Sequence, residues 1–263
     1  MIIDCHTHCF PTKIASTALS KLSRSSGALV AWTDGTIEGI KKELDRCGID
    51  AACVLHIATS PSQQKSVNQF AAKINSPTVF SFGSVHPDAP DALDELDRIA
   101  AGGLKGVKFH PFFQHFAVDE PRMFPLYRRA AALGLITVFH AGYDIGYADT
   151  EQAAPEALAK ILPVFDGAPV IAAHLGGCFC WQAVQKWLVH KPVYLDTAFC
   201  HSHIPLPEAQ KIIERHGADR ILFGSDSPWG NMAYETAFID SLGLGASEKR
   251  QIMGDNIARL LKI

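Results

Sequence analysis

The 263-residue chain has no apolar stretch approaching the ~20 residues of a membrane-spanning helix. Its opening run, Met1-Ile2-Ile3-Asp4-Cys5, has no basic start and breaks at Asp4 and His6, so no signal peptide is expected. Charge of neither sign is concentrated. The 24 Lys and Arg and 27 Asp and Glu are interspersed, giving a formal net charge of −3. No basic stripe points to nucleic acid and no charge block to a tail. Cysteine is sparse and odd in number at seven. Cys47, Cys53 and Cys200 lie in apolar segments and read as reduced, mostly buried thiols of a cytoplasmic protein. Cys178-Phe179-Cys180 lacks a second pair at zinc-finger spacing, so it reads as an ordinary helix start. A Gly-rich phosphate loop after an early strand is also missing, which argues against a doubly wound nucleotide-binding sheet. These absences leave a protein acting on a small molecule, without membrane or nucleic-acid partners.

What is present is an alternation of short apolar runs and helical patterns from end to end. Strands are expected near 2–6, 50–56, 78–85, 104–110, 135–140, 169–174, 192–196 and 220–225. Helices are expected near 36–48, 62–75, 88–101, 120–134, 151–165, 179–190, 206–216 and 231–242. Gly48, Gly134 and Gly217 sit at helix ends, and Pro90, Pro121 and Pro207 near helix starts. Eight βα units in one chain predict a single-domain (β/α)8 barrel over 1–263, with two extra short helices around 247–253 and 255–261. The longest loop after a strand, residues 9–35, is the lid candidate. Helices 151–165 or 206–216 could pair two chains into a homodimer, though no pattern forces it.

Reactive groups of a barrel collect at the C-terminal strand ends, and the histidines of this chain do so. His6 and His8 end the first strand. Side chains two apart on a strand share a face, so both can grip one ion. On strict alternation Asp4 also faces inward, one pleat below His6. It would orient a ligand or join a polar interior layer. His56, His86 and His110 end strands two to four, and His140 and His174 strands five and six. Asp196 follows strand seven, where it would accept the outer N–H of a ligating histidine or cap the following loop, and Asp226 follows strand eight. His56 and His86 could line a pocket or bond to neighbouring backbone. His115, His201 and His203 read as loop residues. His6, His8, His140 and Asp226 are four ligands for one mouth. Imidazoles with a carboxylate suit zinc, and less selectively manganese, iron or cobalt. Lys108 and His110 both face inward on strand four. Lys108 would pair with a carboxylate such as Asp226 or await an anionic substrate. Phe112 and Trp229 are candidate pocket aromatics.

The chain resembles the amidohydrolase superfamily, in its amidohydrolase-related branch that includes aminocarboxymuconate-semialdehyde decarboxylase-like enzymes. The resemblance rests on Asp4-Cys-His-Thr-His8, Val138-Phe-His140-Ala-Gly, Ala173-His174-Leu-Gly-Gly, Ile221-Leu-Phe-Gly-Ser-Asp226-Ser-Pro-Trp and the tail Gly254-Asp-Asn256-Ile-Ala-Arg-Leu-Leu261. It implies that His6, His8 and His140 are metal ligands, and that Asp226 touches the metal and handles a proton. It implies that His174 contacts water or substrate, or binds a second ion. Lys108 resembles the strand-four lysine that, once carboxylated, bridges two ions in some relatives. One ion is the reading preferred here, with two as the alternative.

A divalent ion brings the pKa of bound water from 15.7 towards about 7. The expected activity is therefore metal-dependent hydrolysis of an amide, lactone or ester bond, with Asp226 and His174 catalytic. The alternative is a non-oxidative decarboxylase, a lyase. That reaction wants an arginine on the substrate carboxylate. Only Arg24 and Arg122 lie in loops that could reach the mouth, which tips the reading towards hydrolysis.

Overall fold

The computed structural model describes residues 1–147 and 152–263. Eight parallel strands form one sheet in the order of the chain: β1 Ile3–Thr7, β2 Ala51–Leu55, β3 Val79–Gly83, β4 Gly106–Phe109, β5 Ile136–Phe139, β6 Val170–Ala172, β7 Tyr194–Asp196 and β8 Ile221–Leu222. The sheet returns on itself. Cys5 N donates to Phe223 O, Asp226 N to His6 O and His8 N to Ser227 O, at 2.8, 2.8 and 2.6 Å. These bonds knit the ends of β1 and β8 together, and so place the His6–His8 pair beside Asp226.

Helices wrap the outside: α1 Ala15–Ser25, α2 Ile37–Cys47, α3 Gln64–Ile74, α4 Ala92–Ala101, α5 Phe124–Ala132, α6 Pro155–Ile161, α7 Trp181–Trp187, α8 Leu206–His216 and α9 Met232–Ser241. The predicted (β/α)8 barrel is therefore the observed fold. Strands buried on both faces explain why the apolar runs are nearly continuous. Local chemistry sets the helix limits. Thr36 Oγ1 accepts from Gly39 N and starts α2, and Gly48, at φ +64°, ends it in the left-handed conformation. Asn231 caps α9 through Ala233 N and Tyr234 N. Several predicted helices begin with a 3₁₀ turn, at Pro61–Gln63 and Pro121–Met123, or end in one, at Leu162–Phe165. The start expected at residue 151 for the helix observed as α6 lies outside the described residues. The closing helices are α10 Ala246–Arg250 and α11 Asn256–Leu261, joined by a π-helical turn.

Two features depart from the sequence reading. The lid candidate 9–35 contains a helix, α1, whose start has no side-chain cap and no acidic residue. Without those start signals the segment reads as loop. The second departure is a bulge in β1. Asp4 pairs with Ala52 but Thr7 with Val54, so three steps on β1 match two on β2. Ile3 and Cys5 pack in the barrel interior with Ala51 and Cys53, whereas Ala52 and Val54 belong to the layer under the helices. Asp4 therefore faces outward with Ala52, not inward below His6 as strict alternation predicts. The bulge turns the next residue, His6, back to the interior.

Candidate metal centre

The barrel mouth opens into a cavity of about 560 Å³ whose floor carries His6, His8, Lys108, His110, His140, Asp144, His174 and Asp226. At one side, His6 Nε2 lies 3.2 Å from His8 Nε2 and 3.4 Å from Asp226 Oδ1, and His8 Nε2 lies 3.1 Å from the same oxygen. A metal–ligand bond of about 2.1 Å with angles between 90° and tetrahedral puts ligand atoms roughly 3.0–3.4 Å apart. The triangle has that size.

Its tautomers can be read from the far side of each ring. His8 Nδ1 lies 2.7 Å from Leu55 O, which can only accept, so Nδ1 carries the proton. His6 Nδ1 faces Asp196 Oδ2 at 2.9 Å, and the same logic applies. Both Nε2 atoms therefore present lone pairs to each other and to a carboxylate oxygen. Burial and the nearby Lys108 lower the His6 pKa well below its usual value, which keeps that ring neutral. Three acceptors within 3.4 Å with no proton between them suit a divalent cation, so the donor set fits the metal that the residues imply.

His140 stands next to this triangle, at the end of β5. Its Nδ1 is 3.1 Å from His174 Nε2, and its Nε2 donates to Tyr143 O at 3.2 Å. His174 Nδ1 donates in turn to Ala198 O at 2.9 Å. By the same bookkeeping these two rings also turn lone pairs on each other. His140 stacks on His110, with centroids 4.3 Å apart, and both approach Asp144 Oδ2, at 3.9 and 3.5 Å. His110, His140 and Asp144 thus form a second group of metal-type atoms. Asp144 went unnoticed in the sequence, although it lies four residues past His140. Burial raises its pKa.

Backbone strain marks the same places. His174 and Asp226 take φ of +60° and +62°, where side chains other than glycine cost of order 1 kcal/mol or more. Asp196 supports the floor from behind. Its Oδ1 accepts from His174 N and Ala198 N at 2.9 and 3.1 Å, while Oδ2 holds His6. Gly142, at φ +82°, lets the strand-five loop lie against the Cys178 backbone, where a Cβ would collide.

Lys108 Nζ lies 3.4 Å from His6 Nε2 and is buried, its pKa lowered to about 8 chiefly by desolvation. It makes no ion pair among the described residues, so the expected pairing with Asp226 is not made. Trp229 lines the cavity as predicted. Phe112 turns into the core, and Phe113 lines the cavity instead. His56 lines it too, but His86 does not; its Nδ1 accepts from Asp88 N. Asp4 binds His6 N and Ser225 N, so it fastens the bulge rather than a ligand. All seven cysteines are free, with Cys47 half-buried rather than buried. Arg24 bonds Ser20 O, and Arg122 pairs with Asp88 and Glu120, so neither reaches the cavity.

The family profile described as Amidohydrolase matches residues 3–263. No curated protein matches the sequence. Solved structures that superpose on the chain include 5-carboxyvanillate decarboxylase from Sphingomonas paucimobilis, with a TM-score of 0.74 at 16% identity, covering 100% of this chain and 99% of that one. The 2,6-dihydroxybenzoate decarboxylase from Rhizobium gives 0.73 at 16% identity, over 99% and 98%. A probable 2-pyrone-4,6-dicarboxylic acid hydrolase from Acinetobacter baumannii gives 0.69 at 18% identity, over 100% and 99%. At such identities the likeness is one of fold.

Proposed function

Since the chain belongs to the amidohydrolase family, we propose that it is a metal-dependent, non-oxidative decarboxylase of an aromatic or similarly unsaturated hydroxy acid. The observation that carries this reading is Lys108, a buried ammonium without an ion-pair partner among the described residues, on the floor of a cavity with apolar walls. An unpaired buried cation calls for an anion, and a flat carboxylic acid supplies one. The reading displaces hydrolysis, which the scarcity of arginine favoured. That scarcity holds at the cavity wall, but Lys108 does the work assigned to arginine. Two of the three superposed proteins named above are decarboxylases by name, which supports the choice.

His6, His8 and Asp226 would hold the ion, with His140 as the fourth ligand. Zinc is the metal expected, one ion per chain, with a second at the His140–His174 side as the alternative. When bound, such an ion draws the substrate's oxygens to itself and stabilises negative charge developing on them. The residues do the rest. Lys108 Nζ holds the carboxylate. Asp226, as a carboxylate, takes the proton of a hydroxyl next to the substrate carboxylate. Asp226 then delivers that proton to the ring carbon bearing the carboxylate. The bond to the carboxylate breaks, its electron pair restores the aromatic ring, carbon dioxide leaves and solvent reprotonates the oxygen. Apolar walls assist, because they favour loss of a charged carboxylate as a neutral gas.

The test is carbon dioxide release from a panel of 2-hydroxy- and 2,6-dihydroxybenzoates by zinc- or manganese-loaded protein in D₂O. One deuterium is expected at the carbon that lost the carboxylate, and Asp226→Asn is expected to lose at least 10³-fold in rate, the scale of general acid–base catalysis. Turnover of lactones or amides with no carbon dioxide from any acid would return the protein to the hydrolases.

A further inference from the structure

The cavity is larger than a monocyclic acid needs. A cavity of about 150 Å³ accommodates benzene, whereas this one is about 560 Å³. The surplus is not at the metal end. It runs outward between α1 and α3, where hydrocarbon side chains line it together with Lys21, Gln63 and Ser66. Ile14, Ala18 and Leu22 recur at every fourth position, so they lie on one face of the α1 segment. Val67 and Phe70 face them from α3, and Leu55 lies between at the end of β2. The other face of α1 is already used, since Leu19 packs on Gly35. On the face towards the cavity, Ile14 remains 51% exposed. The C-terminal end of α1 reaches across the mouth. Ser25 O and Ser26 Oγ come within 3.4 and 3.7 Å of the position a Cβ on Gly146 would take, so the slot is roofed from the β1 side to the β5 side.

We infer that the slot between α1 and α3 receives a hydrocarbon substituent of the substrate, so the enzyme acts on alkyl- or alkenyl-bearing aromatic acids rather than on the bare ring. The inference deepens the decarboxylase reading and rests on it for the identity of the head group. A bare hydroxybenzoate would leave the α1 face wet. A tail of several carbons would bury it and so favour binding of the larger substrate. Ala18 is the narrowest of the α1 contributors and sets how wide the tail can be.

The experiment uses resorcinol and its 4-methyl to 4-hexyl derivatives, product analogues that need no turnover, with calorimetric dissociation constants on zinc-loaded protein. Affinity is expected to rise about fourfold per methylene, the effect of burying one methylene in a hydrocarbon slot, and so about sixtyfold from methyl to butyl. Ala18→Trp and Val67→Trp fill the slot from opposite walls, and each is expected to flatten the gradient. Two variants on separate helices guard against one that fails to fold. A gradient absent from the wild type, or persisting unchanged in both variants, overturns the inference. A gradient in binding without carbon dioxide from any alkylated hydroxybenzoate supports the slot and refutes the decarboxylase reading, so the two failures are distinct.

Discussion

Asp196→Asn is the substitution whose outcome the geometry dictates most closely. Asp196 Oδ1 accepts two backbone N–H bonds, from His174 at 2.9 Å and Ala198 at 3.1 Å. An asparagine there can keep both bonds only by placing its carbonyl oxygen in that position. Its NH₂ must then point at His6 Nδ1, where the carboxylate oxygen now sits 2.9 Å away. An NH₂ can only donate, so His6 Nδ1 must accept, and the imidazole proton moves to Nε2. Nε2 is the atom that faces His8 and Asp226. The substitution therefore takes away the lone pair that His6 turns towards His8 and Asp226 without touching that atom.

Loss of an outer partner of this kind typically weakens metal binding by 10–100-fold, or about 1.4–2.7 kcal/mol. The fold should scarcely notice, because both backbone donors remain satisfied. Asp196→Ala is the contrast. It strands two buried N–H groups at about 1–3 kcal/mol each, so it should lower the melting temperature as well as the affinity. The assay is competition for zinc against a chelator of known affinity, with thermal melts of the metal-free proteins alongside. An asparagine variant that binds zinc as tightly as the wild type would refute the tautomer argument. So would one whose loss of affinity is matched by a loss of stability as large as that of the alanine variant.

Two further outcomes follow from buried titrating groups. His56 is buried against Phe70 with no partner for Nε2 among the described residues, and desolvation lowers its pKa to about 3. The unfolded chain takes up that proton first, near pH 6.5, so stability falls as pH drops from there towards 3, by about 2 kcal/mol at pH 5. In His56→Leu, the loss of melting temperature between pH 7.5 and 5 should shrink by roughly 4–8 °C, and an unchanged loss would count against the assignment. Lys108, with its pKa lowered to about 8, is cationic below that pH. The affinity for a benzoate inhibitor should weaken as pH rises through about 8 and lose this dependence in Lys108→Met; a dependence that survives in the variant would place the cation elsewhere.

The barrel was legible because parallel strands buried on both faces leave continuous apolar runs, and because helix ends carry glycine and capping residues such as Gly48 and Thr36. The mouth was legible because histidines gather at strand ends. Helix α1 was not, since its apolar face meets a cavity rather than a core and its start lacks a cap. Phe112 and Phe113 illustrate a finer limit. Adjacent aromatics after a strand are alike in sequence, and the backbone turn alone decides which faces the cavity.

In the Asp4–His6 step, strict alternation brings His6 and His8 together but puts Asp4 on the wrong side. Alternation places His6 and His8 on one face, and they do share it. It also places Asp4 there, and Asp4 is on the other. The extra residue of the bulge between them reverses the sense of alternation, and the Asp4 carboxylate fixes the reversal by accepting from His6 N and Ser225 N. Its second oxygen has no partner among the described residues, and burial raises its pKa to about 7. A buried carboxyl so poorly satisfied would be a liability in a plain strand. Here it clamps β1 to the segment after β8, the one seam of the barrel that no regular strand ladder closes. That seam is also where His6, His8 and Asp226 meet, so the residue that looked like a spare ligand is better understood as the fastener that brings these three side chains into register.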